Sequence, residues 1–222
     1  MKLIVFDVDG TLVDSQDLIV AAQAETFRAH GMVPPGRERS LSIVGLSLVQ
    51  AFRVLAPDGP AKSLAEGYKA AFQKLRRNPA YREPLFAGAD ELLTELSTRD
   101  DVVLGIATGK SRRGVAHLLE RHGWQEVFST IQTADDAPSK PHPAMLEQAL
   151  AETGASAGAS AMIGDSTFDM TMARAVGMGA IGVSWGYHRP QALREAGAEV
   201  IVSSYAELRS YLHETLLAPS LV

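Results

Sequence analysis

The chain has no cysteine in its 222 residues. That excludes a disulfide framework, a thiolate metal site and a cysteine nucleophile, and it fits a reducing, cytoplasmic setting. Long apolar runs are missing too. The N-terminal stretch Leu3-Ile4-Val5-Phe6 meets Asp7 after four residues. The middle region of a signal peptide needs about 7–15 apolar residues, and a membrane span needs roughly 20. No membrane partner is expected. Nor is there an excess of positive charge. At a formal net charge of −5 nothing suggests a general nucleic-acid surface. Internal repeats and low-complexity segments are likewise absent, and nothing marks an obligate protein partner.

What is present is a rhythm of short β-prone runs and helical patterns. Leu3–Phe6 reads as a strand buried on both faces. Similar runs follow at Val102–Ala107, Val127–Ile131, Ala161–Ile163 and Ala180–Val183, with a weaker one at Glu199–Val202. Between them, Asp90–Ser97, Gly114–His122, Pro143–Glu152 and Thr167–Val176 carry apolar residues at helical spacing. Strand, helix, strand repeated in this way predicts an α/β fold, a doubly wound parallel sheet covered on both faces. The first crossover is too long. About 95 residues separate the first two strands, where a βαβ unit needs about 30. The surplus is rich in helix formers and predicts an inserted helical unit. We expect a core of residues 1–14 and 84–222 and an insert of 15–83, hinged near Val13–Gln16 and Pro79–Gly88.

Polar residues gather at the predicted strand ends. Asp7 and Asp9 follow the first strand, Thr108 the second, and Asp165 with Asp169 the fourth. Ligands of open parallel sheets bind outside the carboxyl ends of the strands. Taken alone, Asp7-Val8-Asp9-Gly10 is a turn or a helix cap. A calcium loop fails, because Leu12 and Leu18 stand where that loop needs Gly and Glu. Four carboxylates at one sheet edge are another matter. Two like charges about 4 Å apart repel by roughly 4 kcal/mol at an effective dielectric near 20. Oxygen-only ligands point to a hard cation, Mg²⁺ first.

Four motifs in order, Asp7-Val8-Asp9-Gly10-Thr11, Thr108-Gly109-Lys110, Lys140-Pro141-His142-Pro143 and Gly164-Asp165-Ser166 with Asp169, resemble the haloacid dehalogenase superfamily. Together with Gly182–Tyr187 they resemble its phosphoglycolate-phosphatase-like branch. Gly109 departs from a pattern in which relatives often carry Asn. The resemblance implies a Rossmann-like core with a helical cap. It also implies hydrolysis of a small phosphorylated metabolite, phosphoglycolate as first expectation, through an aspartyl phosphate. In that scheme Asp7 is the nucleophile and Asp9 the general acid and base. Thr108 and the backbone N–H groups near Val8, Asp9 and Gly109 hold the phosphoryl oxygens, and Lys140 offsets charge. Mg²⁺ takes Asp7, the main-chain carbonyl of Asp9, and Asp165, while Asp169 supports the ion from behind these ligands. Gly45, Leu46, Ser47 and Arg53 are the expected cap contacts with substrate.

Other readings are weaker. Gly105–Ser111 resembles a nucleotide-binding P-loop but has three residues between its glycines where four are needed. Gly182-Val183-Ser184-Trp185-Gly186 matches a serine-hydrolase elbow, with Glu207 and His213 as formal partners, but the next helix is predicted only near Pro190. A phosphomutase shares the core motifs. A phosphonate hydrolase would need an insert lysine such as Lys62, Lys69 or Lys74, and a non-catalytic phospholigand sensor would have no use for the acids. Asp9 argues against a dehalogenase, which has no leaving alcohol to protonate. His142 reads as structural, Arg112 and Arg113 as a solvated helix face, and Arg76 and Arg77 as plausible surface charges.

Overall fold

The computed structural model describes residues 1–218. The first strand, β1 (Lys2–Phe6), leads into four helices: α1 (Gln16–Ala29), α2 (Arg37–Leu41), α3 (Leu48–Leu55) and α4 (Ala61–Leu75). The chain then returns through α5 (Ala89–Ser97), β2 (Val102–Ala107), α6 (Arg112–His122), β3 (Thr130–Gln132), α7 (Ala144–Thr153) and β4 (Ala161–Gly164). It ends with α8 (Thr167–Val176), β5 (Gly179–Val183), α9 (Pro190–Glu195), β6 (Val200–Val202) and α10 (Tyr205–Glu214). The strands form one sheet in the order β3-β2-β1-β4-β5-β6, and every pairing is parallel. The order reverses at β1, so the switch point, where ligands bind in such sheets, lies beside its carboxyl end. Among the described residues no helix is long and apolar enough to cross a membrane.

The apolar run of β1 explains its central place. Side chains of a strand alternate between faces. Ile4 and Phe6 join the cluster under α5, α6 and α10, while Leu3 and Val5 join the one under α7, α8 and α9. All four are fully buried, and each burial stabilises the fold by about 1.5–3 kcal/mol. The insert has a core of its own, with Ile19, Phe27, Phe52, Leu55, Leu64 and Tyr68 among its members. Two chain segments join it to the sheet side by side: Phe86 N donates to Leu12 O at 3.0 Å and Asp14 N to Pro84 O at 2.8 Å. Asp14, Pro84 and Phe86 fall in the segments where hinges are expected, and Leu12 lies just ahead of Val13.

One strand is displaced. Val127–Ile131 was the expected third strand, but pairing runs from Thr130 to Gln132. Val127 N closes a turn onto Trp124 O, and Val127 and Phe128 pack into the core from that turn. Their apolar character serves packing rather than pairing.

Candidate active site

Asp7 N donates to Ile163 O at 2.9 Å, so the ladder of β1 continues one residue and sets Asp7 at the sheet edge. The chain then turns sharply, with Leu12 N and Val13 N both donating to Val8 O. Gly10 makes that turn with φ 86°, where L side chains are strained. A Cβ there would lie 2.3 Å from an oxygen of Asp165. Across the switch point, Ser166 caps α8 and shares a capping box with Asp169.

The four predicted strand-end acids fall into two groups. Asp7, Asp165 and Asp169 are buried, and each offers an oxygen within 4.8 Å of the others'. Lys140, fully buried, reaches Asp169 at 2.6 Å and Asp7 at 3.1 Å. Asp165 receives Thr11 Oγ1 at 3.1 Å and Tyr187 N at 2.8 Å. The Gly182–Tyr187 segment therefore positions this acid. Asp169 is fully engaged: one oxygen takes Lys140 and the other takes Ser166 N and Oγ. Asp9 points elsewhere. Its Oδ1 accepts from Ser15 Oγ at 2.6 Å and pairs with Lys110 Nζ at 2.9 Å.

The charges do not balance. Three buried carboxylates face one buried ammonium. Burial, opposed by Lys140 and reinforced by Asp169, pushes Asp7 up to about 7. Burial, then Asp7 and Asp169, pushes Asp165 well above the usual carboxylate range. For Lys140 burial favours the neutral amine, but Asp169 and Asp7 outweigh it and hold the group above its ordinary value. A site short of about two positive charges, built from oxygen donors alone, fits a hard divalent cation. The free oxygen of Asp7 and the carboxylate of Asp165 would hold it.

Thr108 is buried at the end of β2, its N–H on Gln132 O and its hydroxyl accepting from Lys110 N. It shares a chamber of about 480 Å³ with Asp7, Asp9, Gly109 and Lys110 on the core side. Residues of the insert close the other side, including Gly45 and Leu46. Ser47 ties the insert to the core through N–H donation to Ser139 Oγ at 2.8 Å. Arg53 departs from its expected place. It is exposed on α3 and does not line the chamber, because the buried face of that helix is Ala51, Phe52 and Leu55.

Several neighbours carried no role in the sequence reading. Lys110 links Asp9 to Glu83, whose carboxylate is held by Arg76 at 2.6 and 3.0 Å. Arg76 is thus more than a surface charge. Lys110 stood within a recognised motif. Glu83 and Gln23 gave no local signal, since only folding brings Gln23 to the chamber wall and Glu83 behind Lys110 and Arg76. The serine-hydrolase alternative is overturned: His213 is exposed and paired with Glu95, and Glu207 accepts from Ser203, so neither serves Ser184. His142 accepts from Ala144 N and Arg112 pairs with Asp136, as structural and solvated roles require.

A family model described as haloacid dehalogenase-like hydrolase matches residues 4–183. The chain belongs to that family. Its relatives include "Probable phosphatase IndB" of Dickeya dadantii, 36% identical over 221 residues and covering 96% of this chain and 94% of the relative. A phosphoglycolate phosphatase of Chromobacterium violaceum is 36% identical over 218 residues, with 94% and 95% covered. Among solved structures, a hydrolase from Pseudomonas syringae superposes with a TM-score of 0.85 at 27% identity, covering 97% of this chain and 99% of that one.

Proposed function

We propose that this member of the family is a Mg²⁺-dependent phosphohydrolase acting on a small phosphomonoester, with Asp7 as nucleophile and residues 15–83 as a cap. The observation that carries the reading is the buried Asp7–Asp165–Asp169 triad with a single ammonium to balance it. The relatives named as phosphatases support it.

Mg²⁺ would neutralise charge on the phosphoryl group and on the acids around it. The protein's own groups do the rest. Asp7 Oδ1 is fixed by Val8 N at 2.7 Å and by Lys140, which orients the carboxylate for in-line attack. An Asp7 oxygen bonds to phosphorus as the bond to the leaving oxygen breaks. Asp9 gives that oxygen its proton. Both contacts of Asp9 use Oδ1, which leaves Oδ2 for the transfer. A water then attacks phosphorus, Asp9 takes its proton, and the aspartyl–phosphorus bond breaks to restore Asp7 and release phosphate. Thr108 and the N–H groups of Asp9 and Gly109 hold the phosphoryl oxygens, while the N–H of Val8, expected to join them, is spent on Asp7 Oδ1. The cap excludes bulk water while this happens.

The test is Mg²⁺-dependent hydrolysis of an aryl phosphate by wild type and by Asp7→Asn. Asparagine keeps the shape of the side chain and loses the nucleophile. A fall in kcat on the order of 10⁴-fold or more is expected from deleting a covalent nucleophile. Full activity in the variant would sink the assignment.

A further inference from the structure

The chamber above the acids is larger and less polar than a two-carbon acid requires. Its volume of about 480 Å³ lies in the range of pockets that enclose ring-bearing ligands. The insert supplies walls of Ile19, Val44 and Leu46 and a row of three aromatic rings. Phe52 and Tyr68 stand 5.8 Å apart and Tyr68 and Phe72 5.6 Å apart. The two half-buried cations at the chamber, Lys110 and Arg76, are already matched to Asp9 and Glu83. Lys69, Arg77 and Arg113 are exposed and belong to its mouth.

One polar group of the insert is left over within these walls. Gln23 is 2% exposed and lines the chamber. Its Nε2 donates to Ser40 O at 3.2 Å, and Oε1 has no hydrogen-bond partner. The carbonyl of Ser40 can only accept, which fixes the amide with its nitrogen toward Ser40. Buried acceptors without a partner are costly and scarce in native proteins. A carboxylate placed here would face apolar walls and another oxygen lone pair. A neutral group with a donor would complete the site.

We infer that the chamber is a leaving-group subsite for a neutral, ring-bearing alcohol, and that an N–H or O–H of that alcohol donates to Gln23 Oε1. This rests on the phosphohydrolase reading and narrows its substrate class. The leaving alcohol stacks on the aromatic row while its phosphoryl group sits at Asp7. Gln23 selects among substrates and takes no part in the bond changes.

Three esters of primary alcohols separate the possibilities: 2-phosphoglycolate, benzyl phosphate and uridine 5′-monophosphate. The first carries a carboxylate, the second a ring without a donor, and the third a ring with one. With the full chain and Mg²⁺, kcat/KM for both ring-bearing esters should exceed that for phosphoglycolate by about tenfold or more, a difference of about 1.4 kcal/mol. Gln23→Leu should lower the ratio of uridine 5′-monophosphate to benzyl phosphate by about tenfold, the loss of one buried hydrogen bond. The ratio cancels any loss of folded protein. Phosphoglycolate equal or ahead would overturn the inference and leave the phosphohydrolase reading intact. An unchanged ratio in Gln23→Leu would make Gln23 a structural residue, its oxygen satisfied by buried water and Ser40 Oγ. Failure to turn over any ester would remove the phosphohydrolase reading itself.

Discussion

The two sides of the chamber are built on opposite principles. At the sheet edge, charge is concentrated and almost every polar atom has a partner: Lys140, Ser166, Thr11 and Tyr187 N hold the three acids. On the insert side, the walls are aliphatic and aromatic, and a single buried amide oxygen stands unpaired. Chemistry on phosphorus needs fixed charges that do not reorganise during reaction. Recognition of a leaving group needs shape and one or two directional contacts. On the proposed reading, substitutions in the core site should cost more than substitutions on the insert.

The sharpest way to break that contrast is to disturb one charge in the core site and one on the outer surface of the insert. Lys140→Met removes the ammonium that touches both Asp7 and Asp169. Breaking a fully buried pair costs about 3–5 kcal/mol because charge is left uncompensated. We expect a loss of that size in urea unfolding at neutral pH in the absence of Mg²⁺. Arg53→Ala, on the exposed face of α3, should stay within about 0.5 kcal/mol. Similar values for the two variants would mean that the core is not the stricter side.

The same contrast explains how far the sequence could be read. The three clustered acids, Asp7, Asp165 and Asp169, were legible, because each follows a recognisable apolar strand and the sheet carries those strand ends to one edge. Asp7, Thr108 and Asp165 needed only that rule. The chamber side was far less legible. The helices of the insert follow from their apolar spacing, but which face closes on the core depends on how they pack. Arg53 was expected inside and lies outside. Gln23 and Glu83 sit in helix or loop contexts where a polar residue is ordinary, and their burial comes from tertiary packing alone.

Metal and pH offer a second, smaller lever on the core. The carboxyl of Asp7 is held at about 7 in the folded protein, against about 3.9 in an unfolded chain. Between those values the folded state keeps a proton that the unfolded state has released. Stability from this group is therefore lost as pH rises from roughly 4 to 7. Asp165 is shifted in the same direction. In chelator, melting temperature should fall from pH 5 to pH 8 through these groups. Mg²⁺ at a hundred times its Kd should restore about 2.7 kcal/mol at pH 8, or about 5–10 °C for a domain of this size. At pH 5 the gain should be smaller, since the acids must first shed protons. Equal gains at both pH values would show that the ion does not bind at these carboxylates.

Gly109 lies where the two sides meet, and it tests whether the closed arrangement matters to turnover. A Cβ at this position would stand 2.5 Å from Gly45 O and 2.6 Å from Leu46 O, both backbone atoms of the insert. Gly45 itself packs closely on Ser166 and Phe168, which a Cβ there would meet at 3.2 and 3.4 Å, so that loop has little room to yield toward α8. An asparagine side chain at this position is thus excluded while the insert sits as it does here. In Gly109→Asn the backbone N–H remains and the carboxylates are untouched, so chemistry on a substrate already bound need not change. Closure would be obstructed. We expect kcat/KM to fall about tenfold, near 1.4 kcal/mol, with stability changed far less than in Lys140→Met. The loss should shrink for an aryl phosphate, whose good leaving group depends less on Asp9 and on the exclusion of water. An equal loss for every ester would place the damage at the phosphoryl oxygens. No loss would mean that the loop moves aside, and that Gly45 and Leu46 contribute nothing to selection.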